Sequence, residues 1–438
     1  MIMTYEEALD LLFNRHPAYE RQGDAGYKPG LAMSEALDAA TGYPHRRFRC
    51  IHVAGTNGKG SVTSMIAAAL MTAGYRVGLY TSPHLVDFAE RIRVNGECIA
   101  HDDVVDFVER SLNFDLPGVP SFFELTTAMA FERFARCEVD YAVIEVGLGG
   151  RLDSTNIITP VLSVITNVSL EHTSLLGDTV EAIAGEKAGI IKTGVPVVVG
   201  RADDVVRGVV ERIAAEHDAP LVIADEVDGF ATADGELRTP WGALRCDLEG
   251  DWQYENMTTA VNALFAIHEQ LGLQWEHVVR GFADVSALTG LQGRWMRITS
   301  EVCKHFDPWR SRRLGEVRVI ADSAHNPDAM RRAMAQLERE CTGAVHLVLG
   351  FMADKDVDTM LALLPRDKAC YYCVQASTSR ALPAVELYNK MQARGFVVDS
   401  GYARVGQAFD TALMRAGKGD IVYVGGSMYV LGEFLRSL

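Results

Sequence analysis

Long apolar runs are missing from this chain. None approaches the ~18 residues of a membrane-crossing helix, so a membrane-spanning role is not expected. Positive charge is also in short supply: Lys and Arg number 42 against 58 Asp and Glu, a formal net charge of −16. Such a surface repels a phosphate backbone over most of its extent, which argues against general nucleic-acid binding. Cysteine is sparse, with eight residues scattered over 438. They read as reduced thiols rather than a disulfide framework. Cys370 and Cys373 form a CxxC, but it lies inside the apolar run 369–374, with no second pair and no His nearby. Metal binding there is not expected. The first residues carry Glu6, Glu7 and Asp10 where a signal peptide has basic residues before an apolar core. Together these absences point to a cytoplasmic protein.

What is present is an ordinary globular composition, 48% hydrophobic and 23% charged, with length enough for two or three domains. Apolar runs at 48–53, 76–81, 141–146 and 161–166 alternate with helical patterns at 62–73 and 122–136. That is the βαβ rhythm of a parallel sheet. Helical spacing returns at 179–191, strands are expected at 195–199 and 220–223, and the Gly- and Asp-dotted stretch 225–249 reads as short antiparallel strands. A second βα series begins late, with strands expected at 317–321, 344–350, 369–376, 396–399 and 420–424. Helical patterns at 327–341, 384–394 and 403–415 separate them. The expected fold is therefore α/β: an N-terminal P-loop-type, mostly parallel sheet domain over 1–293, and a smaller Rossmann-like domain over 294–438. Residues 304–315, basic and turn-rich, read as an exposed loop.

The most informative segment is Gly55-Thr56-Asn57-Gly58-Lys59-Gly60-Ser61, which lies between an apolar strand and a helix of small residues. Glycines let consecutive backbone N–H groups converge on an anion, and a helix N-terminus behind them adds partial positive charge. Lys59 supplies a mobile cation. The pattern G-x-x-x-x-G-K-[ST] is not met strictly, because Gly60 separates Lys59 from Ser61. The strand before and the helix after favour a nucleotide-phosphate loop over a plain tight turn.

This loop resembles that of folylpolyglutamate and dihydrofolate synthases, members of the Mur ligase superfamily. The similarity extends to Thr81-Ser82-Pro83-His84-Leu85, to Glu90-Arg91-Ile92-Arg93-Val94-Asn95-Gly96 and to Ser121-Phe122-Phe123-Glu124. It continues through the run from Glu145 to Asn156 and through Glu186-Lys187-Ala188-Gly189-Ile190. Asp322-Ser323-Ala324-His325-Asn326-Pro327 resembles the signature Asp-Gly-Ala-His-Asn-Pro, with Ser323 in place of glycine.

Read chemically, Glu145 closes an apolar strand and should emerge at the sheet's C-terminal edge, where a carboxylate can hold Mg²⁺ on nucleotide phosphates. Ser82 and His172 also follow strands, although a single His is more often structural. The resemblance implies that Ser82, Glu145 and His172 are magnesium ligands, with Mg²⁺ ions numbering two. It implies that Lys187, otherwise read as a solvated lysine on a helix, is carbamylated and acts with Lys59 and His172 in catalysis. It implies nucleotide contacts for Asn256, Arg294, Asp322 and His325, with the nucleotide between the two domains. For the pterin side it implies Gly30, Leu31, Phe123, Glu124, Leu152, Asp153 and Ser154, and for glutamate Arg91 and Ser427. Phe123 could equally be core, and Asn326 a helix cap.

The implied activity is an ATP-dependent amide ligation that joins L-glutamate to dihydropteroate or to a folate already carrying glutamate, by way of an acyl phosphate. Its partners are small molecules, and a monomer is expected. Two other readings remain. A nucleotide switch of the GTPase kind should carry Asn-Lys-x-Asp, and Thr166-Asn167-Val168-Ser169 is not that motif. A Mur ligase of cell-wall synthesis usually has a further N-terminal domain, whereas about fifty residues precede the loop here.

Overall fold

From Cys50 to Ala54 every residue is buried, and such a run, with Ile51 and Val53 β-branched, suits the centre of a parallel sheet. The computed structural model, which describes residues 3–26, 28, 30–224, 230–231, 235–303 and 307–438, places it there. The large sheet contains β1 (Arg49–Ala54), β2 (Val77–Tyr80), β3 (Ile92–Val94), β4 (Glu97–Cys98), β5 (Tyr141–Glu145), β6 (Leu162–Asn167), β7 (Val197–Arg201) and β8 (Leu221–Ile223). Their order is β4-β3-β2-β5-β1-β6-β7-β8. The strands from β2 through β8 in that order pair in parallel, and β3 and β4 add an antiparallel edge. The edge pair turns on Asn95 and Gly96, both at positive φ, the demand of a two-residue hairpin loop. It follows the expected strands as an addition, since no strand is expected from the sequence at 92–98.

The helix Lys59–Thr72 is buried from Gly60 to Leu70. It is buried all round because it is covered on the side away from the sheet by the helices Gln253–Ala266 and Trp275–Ala283. Gly281 makes that closeness possible, since a Cβ there would press on the backbone of Ala68 and Ala69. The antiparallel stretch appears as β9 (Phe230–Ala231), β10 (Leu237–Thr239) and β11 (Gly242–Leu244). Residues 225–229 and 232–234 of that expectation lie outside the described residues.

The chain divides into two units: Met1–Pro83, Phe88–Asp247 and Trp252–Leu291 form the first, and His84–Asp87, Leu248–Asp251 and Gln292–Leu438 the second. The second unit holds a sheet of β12 (Met296–Ile298), β13 (Arg318–Ala321), β14 (Val345–Leu349), β15 (Ala369–Val374), β16 (Val398–Tyr402) and β17 (Ile421–Gly425). The order is β12-β13-β17-β14-β15-β16, parallel except for β12. The expected α/β architecture, a mostly parallel sheet domain and a smaller Rossmann-like one, is therefore found. Among the described residues no helix is long and apolar enough to cross a membrane.

The basic stretch is corrected by the structure. Residues 304–306 lie outside the described residues, but Pro308–Glu316 is a helix rather than a loop. Asp307 caps it by accepting from Trp309 N and Arg310 N, with Pro308 in the first turn. Its arginines are used inside the unit. Arg310 holds Asp410 through Nε at 2.9 Å and Nη2 at 2.8 Å, and donates to Ser437 O at 2.7 Å. Arg313 donates to Leu413 O and Ala416 O, free carbonyls at the end of the helix Val405–Arg415. Turn signals hid the helix because its partners are more than ninety residues away. Arg313→Ala should destabilise the second unit by about 1–3 kcal/mol in urea unfolding, the range for losing charge-assisted hydrogen bonds. Arg312→Ala, at an exposed site, should change it by less than about 0.5 kcal/mol. Equal effects would contradict the clamp.

Candidate active site

The loop after β1 is shaped by contacts that leave no room for side chains. Gly55 has φ +146° and Gly58 φ +83°, both in the region that disfavours a Cβ. A Cβ at Gly55 would overlap Thr166 Oγ1, and one at Gly58 would overlap Asn256 Oδ1. The end of β6 braces the loop. Thr166 Oγ1 and Asn167 Nδ2 donate to Asn57 O at 2.6 and 3.0 Å, Asn57 N donates to Asn167 Oδ1 at 3.0 Å, and Thr56 N to Asn167 O at 2.9 Å. Beyond, Ser169 N donates to Thr56 Oγ1 at 3.0 Å. Lys59 Nζ folds back to Gly55 O at 2.8 Å and Thr56 O at 3.1 Å. Ser61, in the first turn of the helix, is 1% exposed, and its Oγ has no hydrogen-bond partner among the described residues.

Glu145 ends β5 opposite Val53 of β1 and is buried, with Oε2 accepting from Ser82 N at 3.1 Å. Ser82 stands two residues past β2, the other neighbour of β5. Both therefore lie at the C-terminal edge of the sheet, where β1 and its loop also end. His172 follows β6 at φ +46° and opens the short helix Thr173–Leu176. Among the described residues no three His, Cys, Asp or Glu side chains converge as a metal cage.

Lys187 is not the solvated lysine of the sequence reading. It sits on the helix Val180–Ala188, and its side chain is 1% exposed, with Nζ donating to Gly55 O at 2.9 Å and to Glu171 Oε1 at 2.7 Å. Burial pushes the Lys187 pKa down, the nearby Lys59 ammonium adds to that, and Glu171 opposes both. Burial would raise the Glu171 carboxyl, but Lys187, Lys59 and His172 outweigh it and hold Glu171 well below the usual carboxylate range. Glu171 was not among the residues expected from the sequence. Its signal was a carboxylate directly before His172, just past an apolar strand. Thr166 and Asn167 were read only as failing a base-reading motif, whereas they brace the loop.

On the side of β2 and β5, Phe123 is partly buried, and its ring lies on Gly147, where any Cβ would strike it. Tyr80 flanks it at 5.9 Å between ring centroids. Glu124 is buried in a capping box: Glu124 N donates to Ser121 Oγ at 3.2 Å and Ser121 N to Glu124 Oε2 at 2.5 Å. Asp153 is buried too. It accepts from Leu148 N at 2.8 Å, from Thr155 N at 3.0 Å and from Thr155 Oγ1 at 2.5 Å. Ser154 is buried beside it and Leu152 is half-buried. Gly30, at φ +125°, and Leu31 precede the helix Ala32–Ala40. Arg91 is fully buried with its guanidinium 5.1 Å from the Phe122 ring centroid. Asn256, 5% exposed, lies against Gly58 and donates to Gln253 Oε1 at 2.8 Å.

In the second unit Asp322 ends β13, accepting from Trp295 N and Ala324 N, both at 2.8 Å. Burial raises its pKa, and those two donors work against the rise. Arg294 Nη1 donates to Ser323 Oγ at 2.6 Å and to Gly293 O at 3.2 Å, so the residue that departs from the signature holds the arginine. His325 Nδ1 lies 2.9 Å from Ser323 O, and Asn326 caps the helix Pro327–Glu340. Ser427 is buried and caps the helix Met428–Arg436 by accepting from Val430 N at 3.2 Å.

Comparison with known proteins gives the family. The Mur ligase middle domain matches residues 53–237, and the Mur ligase glutamate ligase domain matches 309–428. The chain is 32% identical to the dihydrofolate synthase/folylpolyglutamate synthase of Bacillus subtilis, over 94% of this chain and 96% of that one. It is 35% identical to the folylpolyglutamate synthase of Lacticaseibacillus casei, over 87% and 88%. It spans half the length of a Haloferax volcanii relative, a probable bifunctional folylpolyglutamate synthase/dihydropteroate synthase, at 33% identity. Among solved structures, Escherichia coli FolC in complex with DHPP and ADP superposes with a TM-score of 0.82 at 28% identity, covering 99% of this chain and 97% of that one. The Yersinia pestis bifunctional enzyme with Mn, AMPPNP and L-glutamate bound gives 0.80 at 27%, covering 99% and 98%. The two domain matches make the chain a Mur ligase. Within that superfamily the chain belongs to the dihydrofolate synthase/folylpolyglutamate synthase family.

The buried pair gives a direct test. Glu171→Gln would leave the Lys187 ammonium buried without its counter-charge, a loss of about 3–5 kcal/mol for such pairs. Urea unfolding near neutral pH should show it. Because Lys187 is held below the ordinary lysine value in the folded protein, the unfolded chain binds the extra proton between those two values. The variant should therefore regain stability as pH rises through that window. A variant as stable as the parent at neutral pH would show that the pair carries no stability.

Proposed function

We propose that this protein is an ATP-dependent carboxylate–amine ligase that adds L-glutamate to dihydropteroate and to folates already carrying glutamate. The observation that carries the reading is the braced loop at 55–58 with the buried, unpartnered Ser61 hydroxyl behind it and Glu145 at the neighbouring strand end. A carboxylate is a poor electrophile with a poor leaving group. Transfer of the γ-phosphoryl group of ATP to it forms an acyl phosphate and releases ADP, and attack by the glutamate nitrogen then expels phosphate. Most of what the protein supplies is position and charge.

In this scheme the amides of Gly58, Lys59 and Gly60 at the helix N-terminus receive the nucleotide phosphates, since those of Thr56 and Asn57 are held by Asn167. Lys59 exchanges its two loop carbonyls for phosphate oxygens, and Asn256 holds Gly58 from behind. Arg294, Asp322 and His325 serve the nucleotide from the second unit. Gly30, Leu31, Phe123, Glu124, Leu152, Asp153 and Ser154 shape the pterin end, Glu124 and Asp153 by fixing backbone, since both carboxylates are already engaged. Arg91 and Ser427 serve glutamate.

A divalent metal fits the residues present. The Ser61 hydroxyl is buried without a partner among the described residues, and the Glu145 carboxylate stands among the ends of the central strands. Ser82, Glu145 and His172 would hold the metal, two ions in all, and when bound it neutralises charge on the transferring phosphoryl group. Carbamylation of Lys187 is part of the proposal. Carbon dioxide reacts with a neutral amine, and burial favours that form of Lys187. The carbamate would turn the contact with Glu171 from attraction to repulsion, so Glu171 must then rotate away.

Lys59→Ala should reduce ADP release with dihydropteroate plus glutamate by at least about 100-fold, the order reached when a positioned charge is lost from a transition state. Full turnover in that variant would refute the phosphate-loop role. The same assay on the parent enzyme, run with dihydropteroate, with a tetrahydrofolate and with a nucleotide-sugar muropeptide, checks the substrate. Turnover with the last alone would move the protein to cell-wall synthesis.

A further inference from the structure

His52 breaks the pattern of the strand that carries it. It is fully buried in β1, between Ile51 and Val53, and lies opposite Ile144 of β5 and Ser163 of β6. Burial, helped by Lys192, pushes its pKa down to about 3, so the ring is neutral at physiological pH. Nε2 lies 2.8 Å from Thr155 Oγ1. The Thr155 hydroxyl donates to Asp153 Oδ1 at 2.5 Å, so its oxygen is left to accept, and the imidazole proton must sit on Nε2. Nδ1 then has no hydrogen-bond partner among the described residues. An aliphatic side chain, as at positions 51 and 53, would avoid that unpaired atom. A residue that breaks the local rule without a gain in stability marks a place where something else is specified.

What the ring specifies is the chain it starts. His52 donates to Thr155, and Thr155 donates to Asp153. Through Leu148 N and Thr155 N, Asp153 ties together the two ends of the turn that follows β5. That turn begins at Gly147, on which the Phe123 ring rests, and contains Leu152 and Ser154. The relay therefore anchors the 147–156 turn to the central strand three residues before the phosphate loop.

We propose that His52 is a positioning residue for the pteridine-carboxylate substrate, acting through Thr155 and Asp153 to hold the 147–156 turn against Phe123. This rests on the reading of that turn as the pterin wall. Thr155→Val keeps the branched shape and removes the hydroxyl, His52→Leu removes the first donor, and His52→Gln keeps one. Equilibrium binding of dihydropteroate and, separately, of ADP is measured for each variant and for the parent. Thr155→Val and His52→Leu should weaken dihydropteroate about ten-fold, as expected for one lost hydrogen bond. ADP binding should stay within about two-fold, and His52→Gln should restore most of the dihydropteroate affinity. Where Thr155→Val does not fold, the His52 pair decides. Unchanged dihydropteroate affinity in folded Thr155→Val or His52→Leu overturns the proposal, as does equal weakening of both ligands, the mark of a merely structural role. A parent enzyme that binds ADP but not dihydropteroate fails at the earlier step, because the pterin reading itself is then wrong.

Discussion

The chain leaving β1 must turn where no side chain fits, at Gly55 and Gly58, and β6 and the helices around the loop serve that requirement. A turn with φ +146° and +83° is costly for an isolated peptide with side chains, and here two glycines and a ring of acceptors and donors hold it. Thr166 and Asn167 grip the carbonyl and amide of Asn57 from β6, and Asn256 closes over Gly58 from the helix behind. The helix Lys59–Thr72 carries only small and apolar residues from Gly60 to Leu70 because other helices, not water, cover its outer face. Sheet order, helix composition and loop chemistry are in this sense one constraint.

Charge is handled in the same local way. A chain at −16 cannot attract anionic ligands by its overall field, so cations are placed singly and tethered. Lys59 and Lys187 share the carbonyl of Gly55, at 2.8 and 2.9 Å, and Glu171 offsets their repulsion. The arginines of Pro308–Glu316 show the opposite use. There Arg310 and Arg313 are consumed in fastening a helix end and Asp410 inside the second unit.

Several features were legible in the sequence. The strand, glycine loop and helix order could be read at 48–73 because all three signals are local. So could the carboxylate at the end of β5, since Ala142, Val143 and Ile144 mark a buried strand and the glycines after it mark its exit. The Asn95-Gly96 hairpin was missed: the strands beside it are only two and three residues long and leave little pattern. β12 was hidden for the same reason. The helix Pro308–Glu316 was masked by turn formers, although Asp307 and Pro308 supply a cap and a first turn.

Sequence alone determined the longer strands and most of the helices between them, where the glycine loop lies, and the family to which the motifs belong, because each depends on residues near one another in the chain. Only the tertiary structure decided what the polar residues do with their hydrogen bonds. It buried Lys187 against Glu171 and made Thr166 and Asn167 the brace of the loop. It spent Glu124, Asp153 and Ser427 on caps and turns, and joined His52 to Thr155 across about a hundred residues. A hydrogen bond requires its partner within about 3 Å in space, and sequence spacing does not encode which distant residue the fold will bring there.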